Sequence, residues 1–142
     1  MKTLKQLLEA KGREVYTIEP GARVFDALKL MADKGVGALI VTEGGRIAGV
    51  ISERDYARKV ILLGKSSHEL QVREIMTGKV ITVDPGQSVE ECMALMTEKR
   101  IRHLPVTEGE RLVGVLSIRD LVKEVIAAQR QTIEQLESYI HH

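Results

Sequence analysis

Two stretches of this chain decide its fold: GVISERD at residues 49–55 and GVLSIRD at residues 114–120. Both read Gly-Val-aliphatic-Ser-x-Arg-Asp, and they stand 65 positions apart in a chain of 142 residues. Working outward from them, residues 15–60 fall on residues 80–125 without a gap. About 20 of about 46 aligned positions are identical, far more than chance gives a gapless overlay. Upstream of each copy, LKQLL at 4–8 echoes VREIM at 72–76, with about three extra residues before the first copy. Two copies are too few for a solenoid, so the expectation is a pseudo-twofold pair.

Each copy carries the same order of signals. A short strand is expected at 15–18 and at 80–83, followed by turns at Pro20-Gly21 and Pro85-Gly86. Val24, Leu28 and Met31 then recur at helical spacing, as do Val89, Met93 and Met96. Ser88 to Glu91 reads as a capping box for the second of these helices, whereas the first has Arg23 in the serine's place. Two β-rich runs follow, ALIVT and RIAGVIS in the first copy. They are joined by Glu43-Gly44-Gly45-Arg46, whose glycines supply the positive φ of a tight hairpin; Glu108-Gly109-Glu110-Arg111 matches them. A second helix starts after Ser52 and after Ser117. The order strand, helix, strand, strand, helix, written twice, predicts an α/β sandwich with one sheet and two helices per repeat. The expected divisions are 1–64 (N-terminal segment and first repeat), 65–79 (linker), 80–125 (second repeat) and 126–142 (a C-terminal helix). That last helix places Val125, Ile126, Gln129, Ile133, Leu136 and Ile140 on one side, a stripe that asks for a partner, and a homodimer is expected.

Composition removes several function classes. Lys plus Arg is 21 against 20 for Asp plus Glu, so nothing draws the chain to nucleic acid or to an anionic membrane. Trp is absent and Phe occurs once, which leaves no stacking platform for single strands. No apolar run reaches the ~18 residues of a membrane span, and the N-terminus lacks a signal-peptide core, so a cytoplasmic location is expected. Cys92 is the single cysteine, read as a plain buried thiol, and no metal is expected to be required. His141 and His142, a native end or a tag remnant, carry no metal reading. Neither a Walker loop nor a nucleophile–base set stands at recognisable spacing, so the chain does not read as an enzyme.

The repeated Ser-x-x-Asp admits two readings. As capping boxes, Ser52 with Asp55 and Ser117 with Asp120 would each start a helix, and that alone accounts for the spacing. Arg54 and Arg119 point further. They add positive charge at a helix N-terminus, where the dipole disfavours it unless an anion visits. Free N–H groups and an adjacent Arg suit phosphate, and the carboxylates of Asp55 and Asp120 suit the hydroxyls of a ribose. Arg100, Arg102 and His103 form a basic stretch before a strand, where the first copy has Gly35, Gly37 and Ala38. Two ligand sites built this way would be unequal.

These residues resemble the CBS (cystathionine β-synthase) domain, and the pair resembles a standalone Bateman module. The resemblance covers residues 15–125 and rests on ALIVTEGGRIAGVISERD, RHLPVTEGERLVGVLSIRD and the bridging VREIMTGKVITVDP. It implies a regulatory module with two pseudo-equivalent sites, in a cleft between two sheets, for adenosyl ligands such as AMP, ATP, NAD or S-adenosylmethionine. By the same resemblance Asp55 and Asp120 would bind ribose hydroxyls, with Ser52, Arg54, Ser117 and Arg119 beside the phosphates. Thr17 and Thr82 would border the nucleotide. Gly37, Ala38, Leu39 and Ile40, and likewise Arg102, His103, Leu104 and Pro105, would line the pockets, and Met76 of the linker would fold against the cleft. Nothing further being attached, the output would go to a regulated protein in trans. A ligand-free adaptor for protein contacts is the alternative.

Overall fold

The computed structural model describes residues 1–12 and 14–141. The repeat of the sequence is a repeat of structure. In the first copy β1 (Thr17–Ile18) runs parallel to β2 (Ala38–Glu43), which pairs antiparallel with β3 (Arg46–Ser52), and α2 (Val24–Lys34) lies between β1 and β2 in the chain. In the second copy α5 (Val89–Lys99) precedes β4 (His103–Glu108) and β5 (Arg111–Ser117). Much of the two cores matches at the same offset. Val24, Ala27, Met31, Leu39, Val41 and Ile51 are buried in one copy; Val89, Cys92, Met96, Leu104, Val106 and Leu116 are buried in the other. Cys92 is therefore the core counterpart of Ala27. Burial, and then the charge of Glu91, push its thiol pKa up, as befits an inert packing group.

Three elements differ from the sequence expectation. The strand expected at 80–83 is reduced to a bridge from Val83 to Val106. In the first copy Ile40 N–H donates to Tyr16 O at 3.3 Å; the matching position is Pro105, which has no N–H to give. The second helix of the first copy is short. α3 (Glu53–Tyr56) runs directly into a π-helical turn, Ala57–Ile61, where Leu62 N–H reaches Ala57 O at 3.1 Å. Its counterpart α6 (Ile118–Ile140) is α-helical throughout. The linker is also more than a spacer. α2 begins at Arg23 without a side-chain cap, and its Val24 and Phe25 N–H groups donate instead to Leu70 O and Ser67 O of the linker, at 2.9 and 3.0 Å.

Compactness gathers the chain into two units. One holds α1 (Leu4–Lys11), α5, β4, α6 and most of β5; the other holds β1, α2, β2, β3, α3 and α4 (Val72–Ile75). The segment preceding the first repeat thus packs within the unit of the second, while α4 packs within the unit of the first. Leu4 and Leu8 of α1, and Val72 and Ile75 of α4, are buried there. This exchange accounts for the glycine that opens the repeated motif. A Cβ on Gly49 would stand 2.8 Å from both Met76 Sδ and Thr77 O, and one on Gly114 would stand 2.5 Å from Leu8 Cδ2. Each glycine lets the segment that precedes the other repeat lie directly on the strand.

The two glycines predict unequal costs. At Gly49 the obstacle includes a backbone carbonyl held by Val50 N–H at 3.0 Å; at Gly114 it is the end of a rotatable leucine. Gly49→Ala is expected to destabilise by about 1–3 kcal/mol in urea unfolding, the usual cost of overpacking, and Gly114→Ala by less. The reverse order would contradict this packing.

Candidate functional site

In each copy the strand of the hairpin ends on the serine that starts the next helix. Ser52 N–H and Oγ–H both donate to Asp55 Oδ2, at 2.9 and 3.0 Å, and Asp55 N–H returns a bond to Ser52 Oγ at 3.2 Å. Ser117 and Asp120 reproduce the set at 2.8, 2.9 and 3.2 Å. Both motifs are complete capping boxes. A further bond ties each helix start to the beginning of the neighbouring strand: Glu53 N–H to Gly37 O at 3.0 Å, and Ile118 N–H to Arg102 O at 2.8 Å. The fold thereby brings Gly37 and Ala38 beside Ser52 and Asp55, and Arg102 and His103 beside Ser117 and Asp120.

The other sequence-predicted positions fall into place around these two centres. Arg54, Arg119, Arg102, Thr17 and Thr82 are exposed; Ser52, Asp55, Ser117, Asp120, Gly37, Ala38 and His103 are half-buried. Leu39, Ile40, Leu104 and Pro105 are buried, so their side chains serve packing. Met76 lies against Gly49 on β3. Arg100 ends α5 in the left-handed region at φ 55, where the first copy uses Gly35 at φ 66, and a non-glycine residue held there is strained by about 1 kcal/mol or more.

Two lysines complete the centres, and the sequence reading missed both. Lys59 Nζ lies 3.2 Å from Asp55 Oδ1, one helical turn along, and donates to Ile75 O at 2.8 Å. The i, i+4 spacing could have shown that pair. The matching residue in the second copy is Glu124, and there the cation comes from α1 instead. Lys11 Nζ donates to Asp120 Oδ2 at 2.7 Å and to Val115 O at 2.9 Å. Nothing in the spacing of residues 11 and 120 signals this contact; it depends on where α1 packs.

The charges around Asp120 act on one another. Burial raises its carboxyl, but the Lys11 ammonium and the Ser117 N–H and hydroxyl outweigh that, and its pKa falls below the ordinary 3.8. His103 is pushed below its ordinary 6.5, first by burial and then by the charge of Lys11, with Asp120 opposing and Arg102 adding to it. The folded chain therefore binds the His103 proton less readily than the unfolded chain. Its neutral form costs nothing above pH 6.5, and stability falls as pH drops below that value toward the folded pKa. Asp120 works in the acid range: its contribution is complete above its unfolded pKa and is lost as pH falls through the lower folded one. Lys11→Met is expected to move the His103 midpoint upward in an NMR titration; an unchanged or lower midpoint would contradict the arrangement.

Chemically, each centre offers a carboxylate, an arginine and a lysine, Lys59 in the first and Lys11 in the second, and the second adds Arg102 and a neutral imidazole. This donor and acceptor set suits a polyhydroxylated ligand. Comparison with known proteins agrees with the architecture. The CBS domain family matches residues 9–61 and 72–127. A mitochondrial CBS domain-containing protein of Arabidopsis thaliana is 44% identical over 97% of this chain and 71% of its own length. A solved CBS-domain structure from Burkholderia ambifaria is 56% identical, covers 90% of this chain and 96% of its own, and superposes with a TM-score of 0.87. The CBS domain pair of protein MJ0100, solved with 5′-methylthioadenosine and S-adenosyl-L-methionine, shares the fold at 23% identity and a TM-score of 0.77, over 87% of this chain and 99% of its own.

Proposed function

The chain belongs to the CBS domain family, and from that premise we propose that it is a regulatory sensor that binds adenosyl compounds, one centre in each repeat, and does not transform them. The observation that carries the reading is the pair of intact Ser-x-x-Asp boxes, each with its carboxylate half-buried beside an arginine at a helix start. In this reading Asp55 and Asp120 accept from the ribose hydroxyls. Arg54 and Arg119, at the starts of α3 and α6, face phosphate or another anionic group. The complex of the MJ0100 pair with two adenosyl ligands supports the ligand class. AMP, ATP, NAD and S-adenosylmethionine are the candidates. The two centres are unequal, because Arg102 and His103 stand where the first copy has Gly37 and Ala38.

The output of such a sensor is a surface whose shape depends on the ligand, read by a partner protein. One surface is already marked. Ile126, Ile133 and Ile140 lie seven residues apart on α6 with Leu136 among them, and Ile133, Leu136 and Ile140 are 55%, 57% and 74% exposed. Arg130 and Glu137 flank this stripe one heptad apart, so a second copy laid antiparallel would set each against its opposite charge. A homodimer through α6 is part of this reading. Among the described residues no helix is long and apolar enough to cross a membrane. The compartment expected from composition is the cytoplasm, while the plant relative is named as mitochondrial; a nucleotide sensor serves in either.

Two measurements test these statements. In a thermal-melt panel of AMP, ADP, ATP, NAD, NADH, S-adenosylmethionine and GTP, on protein freed of co-purified ligand, one adenosyl compound is expected to shift the midpoint. At ~100 times its dissociation constant the gain is about 2.7 kcal/mol, or several degrees, and Asp55→Asn with Asp120→Asn should abolish it. No shift with any compound would favour the ligand-free adaptor. By light scattering the chain is expected at dimer mass and Ile133→Asp at monomer mass; a monomeric parent chain would remove the dimer.

A further inference from the structure

The two centres differ in charge as well as in shape, and the difference comes from three matched positions. Where the first copy has Gly37, the second has Arg102; where the first has Glu53, the second has Ile118. Glu53 is turned toward the strand start: its Oε1 lies 3.5 Å from the place a Cβ on Gly37 would occupy. Where the first copy has Lys59, the second has Glu124, which is buried and accepts from Lys2 N–H at 2.9 Å. The partner of Asp120 is consequently Lys11, the last residue of α1, and Lys2 just ahead of that helix is bonded to Glu124 of α6. Asp120 has Lys11 at 2.7 Å, and Arg102 and Arg119 belong to the two segments that meet at its helix start. Asp55 has Lys59 at 3.2 Å, with Glu53 and Arg54 on the same helix start.

We propose that charge sorts the ligands of the two repeats: Lys11 makes the Asp120 centre select an adenosine that carries phosphate, and Glu53 turns phosphate away from the Asp55 centre. The inference rests on the reading that adenosyl compounds bind at both. The three bonds received by Asp120 converge on Oδ2, and among the described residues none donates to Oδ1. Oδ1 is open to a ribose hydroxyl, which leaves the Lys11 ammonium in place on Oδ2. An uncharged nucleoside gives that ammonium no further partner. A phosphorylated one offers an anion within reach of the same long side chain, which gains a second charge-assisted contact. Arg102 adds to the pull, and His103, kept neutral by burial and by Lys11, remains free to accept or donate a hydrogen bond. At Asp55 the Glu53 carboxylate, turned toward Gly37, repels a second anion.

The test is an NMR titration of the full chain, freed of co-purified nucleotide, with AMP and with adenosine. His103 ring signals report the second repeat, and the Gly37 and Ala38 amides report the first. AMP is expected to bind at His103 at least about tenfold more tightly than adenosine, the worth of one charge-assisted contact. Lys11→Met should remove that preference by weakening AMP alone, Lys11→Arg should keep it, and Glu53→Gln should strengthen AMP at the first repeat. Equal weakening of both ligands by Lys11→Met, or AMP binding untouched by it, overturns the sorting and leaves the adenosyl reading standing. Failure of the unaltered chain to bind either compound overturns both.

Discussion

One carboxylate per repeat holds the end of a strand to the start of a helix, and the rest of the structure depends on it. Asp55 and Asp120 each receive the N–H and the hydroxyl of the serine three residues earlier. The last residue of the hairpin is thus also the cap of the helix, and no loop intervenes. The helix start cannot drift from the sheet, because Gly37 O and Arg102 O are tied to the next N–H groups. A capping box of this kind contributes about 0.5–2 kcal/mol, a modest figure; its larger effect is to fix where the acid stands at the helix start. Structure and binding therefore use the same atoms, so substitution to Asn, which keeps an acceptor, separates the two better than Ala.

The duplicated architecture was legible because duplication is visible without any structural knowledge. The 65-residue offset that aligns Ser52 with Ser117 also aligns buried positions from Val24 with Val89 to Ile51 with Leu116. The weaker cap at Arg23 was legible too, although its remedy was not: residues of the linker accept from α2, a contact between segments some forty positions apart. What a repeat comparison conceals is where the copies part. Pro105 deletes a ladder bond that Ile40 makes, and the expected strand at 80–83 shrinks to a bridge. The π-turn after α3 has no counterpart in α6, and nothing in ARKVI against VKEVI explains it physically.

The candidate centres show the same division. Their serines, acids and arginines were read from the motif, since spacing of three along a helix start is a local property. Lys11 was not, since it reaches Asp120 only because α1 packs within the unit of the other repeat. The glycines at 49 and 114 belong with it. They are written into both motifs, but the close approach of Met76 and Leu8 that requires them is tertiary. Each repeat therefore depends on the segment that precedes its twin, and that interdependence accounts for a chain that carries two copies and a second upstream segment in the linker.

The most direct test is a crystal structure of the chain with an adenosine nucleotide. The account predicts ribose hydroxyls within hydrogen-bond distance of the carboxylate of Asp120 or Asp55, with the phosphate beside the helix start that follows Ser117 or Ser52. A nucleotide bound elsewhere, or one whose ribose avoids both carboxylates, would contradict it.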